Sequence, residues 1–143
     1  MNQPDFRILC IDDDANTCNW IRIMLRGSKV NASITTVETG REAFDLVSSK
    51  DFDLCILEYA LPDMTGVQLC SLIRQMGSDV PMMFFTAMNR PIDRQRAFAS
   101  GADAYLCKPD DLDRFVSSVI RLLEGQTPVH LPFRKFSNIP KAA

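Results

Sequence analysis

Five short apolar runs recur along the chain, separated by amphipathic stretches. The first, Phe6–Ile11 (FRILCI), stops at three successive aspartates, Asp12, Asp13 and Asp14. Residues 33–38 (SITTVE) are short and β-branched. Residues 52–57 (FDLCIL) end at Glu58, 81–86 (PMMFFT) end at Thr86, and 102–107 (ADAYLC) end at Lys108. Runs that are continuous rather than alternating predict strands covered on both faces, as in a parallel sheet. Helical periods fill the gaps. Cys18, Ile21 and Leu25 recur on one face of the first. Thr39-x-x-Glu42 and Thr65-x-x-Gln68 read as capping boxes before the second and third. Pro91 suits the first turn of a fourth helix that runs to Ser100 and stops at Gly101. Asp110 or Asp111 is expected to cap a fifth, on which Leu112, Phe115, Val116, Val119 and Leu123 form a stripe. Five strand–helix repeats predict an α/β fold with right-handed crossovers.

Composition supports one globular domain: 143 residues, 46% hydrophobic and 24% charged. No apolar run approaches the ~20 residues that span a bilayer. The N-terminus has no basic-then-apolar leader, and five cysteines without a C-x-x-C spacing read as reduced, buried thiols. A cytoplasmic protein without membrane association is expected. Residues 1–125 hold 13 basic and 18 acidic side chains, net −5, while residues 126–143 hold Arg134, Lys135, Lys141, three prolines and no acid. The expected division is therefore a folded body, 1–125, and a basic, proline-containing tail or linker, 126–143. An acidic body with no helix-turn-helix unit after it gives no basis for direct nucleic-acid binding.

Ligands of open parallel α/β sheets bind at the carboxyl ends of the strands. Asp12 and Asp13, Glu58, Thr86 and Lys108 stand at four of these ends and are expected to converge. Crowded carboxylates repel unless a cation joins them. A hard divalent ion such as Mg²⁺ suits oxygen ligands, and a hydroxyl and an ammonium beside it suit a phosphoryl group.

These segments (ILCIDDD, DLCILEYALPDMTG, MFFTA, and GADAYLCKP before an acid-capped helix) resemble, in order and spacing, the receiver domain of two-component response regulators. The resemblance covers about residues 5–124. It implies a doubly wound five-stranded parallel sheet of order 2-1-3-4-5, flavodoxin-like, with five flanking helices. It places Asp12, Asp13 and the backbone carbonyl of Ala60 around Mg²⁺, with the residue at position 58. Thr86 matches a switch hydroxyl, Ala87 the small residue beside it, Tyr105 a rotameric switch aromatic, and Lys108 a lysine that reaches the acceptor. A cis Lys108–Pro109 peptide is implied as well. The signalling face would comprise Pro91–Ser100, 102–107 and 112–124, with a histidine kinase, a downstream signalling protein or a second copy as partner.

One position departs from the family. The resemblance implies an aspartate phosphoacceptor where this chain has Glu58; Asp63, in the following loop, is a poor substitute. The extra methylene moves the carboxylate by about 1.5 Å. A misplacement of about 1 Å in an in-line attack costs about 10²-fold. The longer arm is instead expected to reach Lys108 and Thr86. The leading expectation is an atypical receiver in phosphorelay signalling, acting without phosphorylation as a protein-interaction module rather than an enzyme. The alternatives are a Mg²⁺-dependent phosphoacceptor that autophosphorylates and a flavodoxin-like cofactor binder.

Overall fold

The computed structural model describes residues 5–124; the tail 126–143 and the boundary expected near 125 lie outside the described residues. Five strands form one parallel sheet: β1 (Phe6–Ile11), β2 (Ala32–Val37), β3 (Leu54–Leu57), β4 (Met82–Thr86) and β5 (Ala104–Cys107). Their spatial order is β2-β1-β3-β4-β5, as the resemblance implies. The register aligns Ile8 with Leu54, Leu57 with Phe84, and Thr86 with Cys107, so the carboxyl ends of β1, β3, β4 and β5 meet along one edge.

Side chains on successive strand positions point to opposite faces, and both faces are apolar. Leu9, Ile11, Cys55, Leu57, Met82 and Phe84 join one core, beneath α2 (Gly40–Ser49), α3 (Gly66–Gln75) and α4 (Pro91–Ser100). Ile8, Cys10, Leu54, Ile56, Met83 and Phe85 join the other, beneath α1 (Ala15–Arg26) and α5 (Phe115–Leu123). Double coverage explains the uninterrupted apolar runs. Cys10 and Cys55 lie inside these cores as free thiols; burial pushes the Cys55 thiol to about 12 and Cys10 upward as well.

Two strands, β3 and β5, start two residues later than their apolar runs. Asp53 and Asp103 are the reason, and they act alike. Each main-chain N–H donates to the neighbouring strand, to Arg7 O and Met82 O, at 2.8 Å in both cases. Each carboxylate accepts the N–H of that same residue, from Arg7 at 2.7 Å and from Met82 at 2.9 Å. A side chain replaces the backbone acceptor, so the regular ladders begin at Leu54 and Ala104.

The helix ends depart from expectation in two places. Thr65 and Gln68 form the full capping box, but at α2 only Thr39 caps; Glu42 turns its carboxylate to the Thr39 hydroxyl at 3.0 Å. The last helix is preceded by a 3₁₀ turn, Leu112–Arg114, and neither Asp110 nor Asp111 caps it. Asp111 instead looks back and accepts the N–H of Cys107 at 2.8 Å, closing the turn after β5. Gly101 ends α4 with φ 115°, where a side chain would be strained.

Candidate functional site

The shared strand edge gathers Asp12, Glu58, Thr86 and Lys108. Asp12 follows β1 and is buried; its Oδ1 accepts the N–H of Asp14 at 2.8 Å, fixing the turn into α1. Glu58 follows β3. Gly66, the first residue of α3, packs so closely on the Glu58 carbonyl that a Cβ there would collide with it, and its N–H donates to Tyr59 O at 2.6 Å. The α3 N-terminus is thereby pressed onto the end of β3, which sets where Glu58 begins. Thr86, fully buried, is the last residue of β4. Lys108 follows β5, its N–H donating to Thr86 O at 2.7 Å, and the Lys108–Pro109 peptide is cis.

Glu58 sits at the centre of the polar contacts. Its Oε1 accepts the Tyr59 N–H at 2.8 Å and the hydroxyl of Thr86. Its Oε2 is 3.1 Å from the Lys108 ammonium. Lys108 Nζ also lies 3.2 Å from the Thr17 hydroxyl, 3.5 Å from Asp12 Oδ2 and 5.2 Å from the Phe85 ring centre. A partly buried positive charge is thus met by two carboxylates, one hydroxyl and a ring face. Burial pushes the Asp12 carboxyl above its ordinary value; the Asp14 N–H and Lys108 pull the other way, and Glu58 adds to the rise.

A second run of contacts leads away from this centre. The Thr86 hydroxyl accepts the Met88 N–H at 3.1 Å. Met88 O accepts the Tyr105 hydroxyl at 2.7 Å. Tyr105 is buried and turned inward, its ring stacked on Phe84 at 5.6 Å, and burial raises its phenol. Arg94 of α4 donates to Tyr105 O at 3.2 Å. An unbroken series of contacts therefore joins Lys108 and Glu58 to the outer surface of α4. Thr17 and the Met88 carbonyl are absent from the sequence reading. Thr17 shows there only as a polar residue near a helix start, and a main-chain oxygen leaves no trace in a sequence.

Among the described residues, no three His, Cys, Asp or Glu side chains gather closely enough to hold an ion. Asp13 and Ala60 are exposed; the Ala60 N–H, at 3.5 Å, faces Glu58 Oε1. Both Glu58 oxygens are already engaged, and an ammonium lies beside Asp12. The residues as arranged do not fit a divalent ion. Asp63 is engaged elsewhere: it accepts the N–H groups of Gly40 and Arg41, both at 2.9 Å, at the start of α2. Those bonds lower its carboxyl, the Gly40 bond foremost.

The model of the response regulator receiver domain matches residues 8–120, and the chain belongs to that family. It is 32% identical over 122 residues to the cell cycle transcriptional regulator CtrA of Caulobacter vibrioides, covering 83% of this chain and 52% of that protein. It is 34% identical over 122 residues to the response regulator MprA of Mycolicibacterium vanbaalenii, covering 85% and 52%. The chain thus spans about half the length of these curated relatives. Among solved structures it resembles a two-component response regulator from Clostridium difficile (TM-score 0.75, 31% identity, 82% of this chain and 95% of that one). It also resembles the non-phosphorylated HemR receiver domain from Leptospira biflexa (TM-score 0.74, 30% identity, 87% and 98%). Receiver domains act in two-component signalling, interact with histidine kinases and other partners, and commonly bind Mg²⁺. No described helix is long and apolar enough to cross a membrane.

Proposed function

We propose that this receiver is a phosphorylation-independent protein-interaction module of a two-component pathway, with Glu58 standing where the family's acceptor aspartate would be. The observation that carries this reading is the bridge made by one carboxylate, which takes the Thr86 hydroxyl on one oxygen and the Lys108 ammonium on the other. Those are the groups the family resemblance assigns to a bound phosphoryl group. Glu58 meets them with its own charge, and neither needs an incoming donor or a metal to be satisfied.

The inward Tyr105 and the Thr86 hydroxyl turned onto Glu58 favour an active-like setting of the β4–α4 loop. A carboxylate brings about one negative charge where a phosphoryl group brings nearly two. In this reading the bridge holds one state of the surface rather than switching between two. The domain performs no catalysis: the longer arm is displaced from in-line attack and both of its oxygens are occupied. Its location in the cell is that of its signalling partners, the cytoplasm.

The test is incubation of the full chain with Mg²⁺ and acetyl phosphate, read by intact mass. No phosphate adduct is expected. Glu58→Asp shortens the arm and is expected to restore labelling at position 58, because Asp12, Thr86 and Lys108 are in place. A stable adduct on Glu58 in the unmodified chain would overturn the reading in favour of a working phosphoacceptor.

A further inference from the structure

β2 forms the edge of the sheet opposite β5, with β1 on its inner side. The N–H groups of Phe6 and Asp12 donate to Asn31 O and Val37 O, so Ser33, Thr35 and Val37 turn their main-chain groups toward β1. By the alternation of a parallel ladder, Ala32, Ile34 and Thr36 turn theirs outward. The strand (ASITTV) holds no charged residue and no proline, and its last four residues are β-branched. An edge without charge or proline is an open template for pairing. Arg22 reaches over it from α1, donating to Ile34 O at 3.2 Å and to the Thr36 hydroxyl at 3.5 Å. On the α1 side of the edge lies a groove of about 260 Å³ whose lining includes Arg22, Leu25, Arg26 and Ile34 and no acidic side chain. On the other side a groove of about 370 Å³ carries Arg7 and Lys50 against one acid, Asp51. Arg7, Arg22, Arg26 and Lys50 make no ion pair among the described residues. The open edge is thus flanked by positive charge on a domain whose body is net negative.

We propose that the β2 edge binds an extended acidic segment of a partner protein, which adds a sixth strand to the sheet. The segment's main chain bonds the outward groups of Ala32, Ile34 and Thr36, and its alternate side chains fall to the two faces. Those on the α1 side are acidic and meet Arg22 and Arg26; the others lie over Ser33 and Thr35. Arg22 leaves Ile34 O for the incoming carboxylate, which frees that acceptor for a main-chain donor. The unpaired ladder selects an extended polypeptide, and the arginines, whose planar fork suits carboxylates, select its charge. Other occupants lack that charge. A second copy paired antiparallel through β2 would bring both α1 arginine pairs to one face of the joined sheet. The chain's own residues 126–143 bring three basic side chains and no acid. The site lies across the sheet from β5 and does not depend on the state of Glu58.

The probe is a short fluorescein-labelled peptide alternating threonine and glutamate, titrated with the full chain at low ionic strength and read by anisotropy. Binding is expected, weakening as salt rises. Amide exchange at Ile34 and Thr36, whose N–H groups face outward, should slow when the peptide binds. Glutamine in place of glutamate should weaken binding on the order of tenfold. Two further peptides are N-methylated, one at every glutamate and the other at every threonine. Only one of these sets of N–H groups faces β2, so one peptide should bind on the order of tenfold more weakly and the other as before. Arg26→Glu, which breaks no ion pair, should weaken binding on the order of tenfold, and Arg121→Glu, on α5, should leave it as it was. No binding to the unmodified chain, equal binding of the glutamine peptide, equal effects of the two N-methylated peptides, or indifference to Arg26→Glu would each overturn the proposal. So would slow exchange at Ile34 and Thr36 in the full chain alone, which would mean that its own tail or a second copy already covers the edge.

Discussion

Asp12 carries an electrostatic cost that its neighbours only partly relieve. Burial raises its carboxyl above 3.8, the value it takes when exposed, so ionisation is less favourable in the folded chain than in the unfolded one. The resulting penalty is absent in acid, sets in above pH 3.8, and is complete above the raised value. Asp12→Asn keeps an acceptor for the Asp14 N–H and removes the charge. It is expected to raise the melting temperature at neutral pH, with the gain closing as the pH falls through that window. A gain that persists unchanged below pH 3.8 would mean the effect is not the charge. At this scale the sequence shows the cast and, through the resemblance, the reach of Glu58 to Lys108 and Thr86, but not the remaining contacts of Lys108. Asp12, Glu58, Thr86 and Lys108 are visible as strand-end residues, yet Thr17, beside Lys108, is not, since nothing local distinguishes it from an ordinary polar residue in a first helical turn.

Among the elements, the two threonine caps give a direct comparison. Thr65 accepts the Gln68 N–H at 3.1 Å while Gln68 Oε1 accepts the Thr65 N–H at 2.9 Å, so two otherwise unpaired donors are satisfied together. Thr65→Ala is expected to cost about 1 kcal/mol in urea unfolding. Thr39→Ala should cost less, because Asp63 still accepts the first N–H groups of α2. Equal losses would show that the reciprocal box adds nothing. The strand starts are the clearest case of a feature hidden from the sequence. The apolar runs 52–57 and 102–107 look like six-residue strands. Their second residues, Asp53 and Asp103, replace ladder acceptors with carboxylates, which shortens each strand to four residues. Hydrophobic periodicity reports which face a residue buries; it is silent on which atom accepts a neighbouring strand's N–H.

For the whole molecule, the contacts from Lys108 to Arg94 cross the sheet edge and hold the β4–α4 loop at both ends. Thr86→Val conserves shape but removes the hydroxyl that binds Glu58 and the Met88 N–H. Amide exchange at Met88 is expected to accelerate on the order of tenfold, the equivalent of losing a bond of about 1 kcal/mol, while amides of β1 keep their protection. Unchanged exchange at Met88 would mean that the loop is held by packing alone. The sequence by itself determined the alternation of strands and helices, the two apolar faces of the sheet, and the presence of carboxylates, a hydroxyl and an ammonium at strand ends. Those follow from local periodicity and from the rule that parallel strands share one carboxyl edge. The expectation that the longer Glu58 arm reaches Lys108 and Thr86 is met; only the tertiary structure decided which oxygen each takes, and that Lys108 also reaches Thr17 and Asp12, 96 residues away. Such pairings depend on strand order, on the rotamer of one flexible arm, and on main-chain atoms such as the Met88 carbonyl, none of which the local pattern encodes.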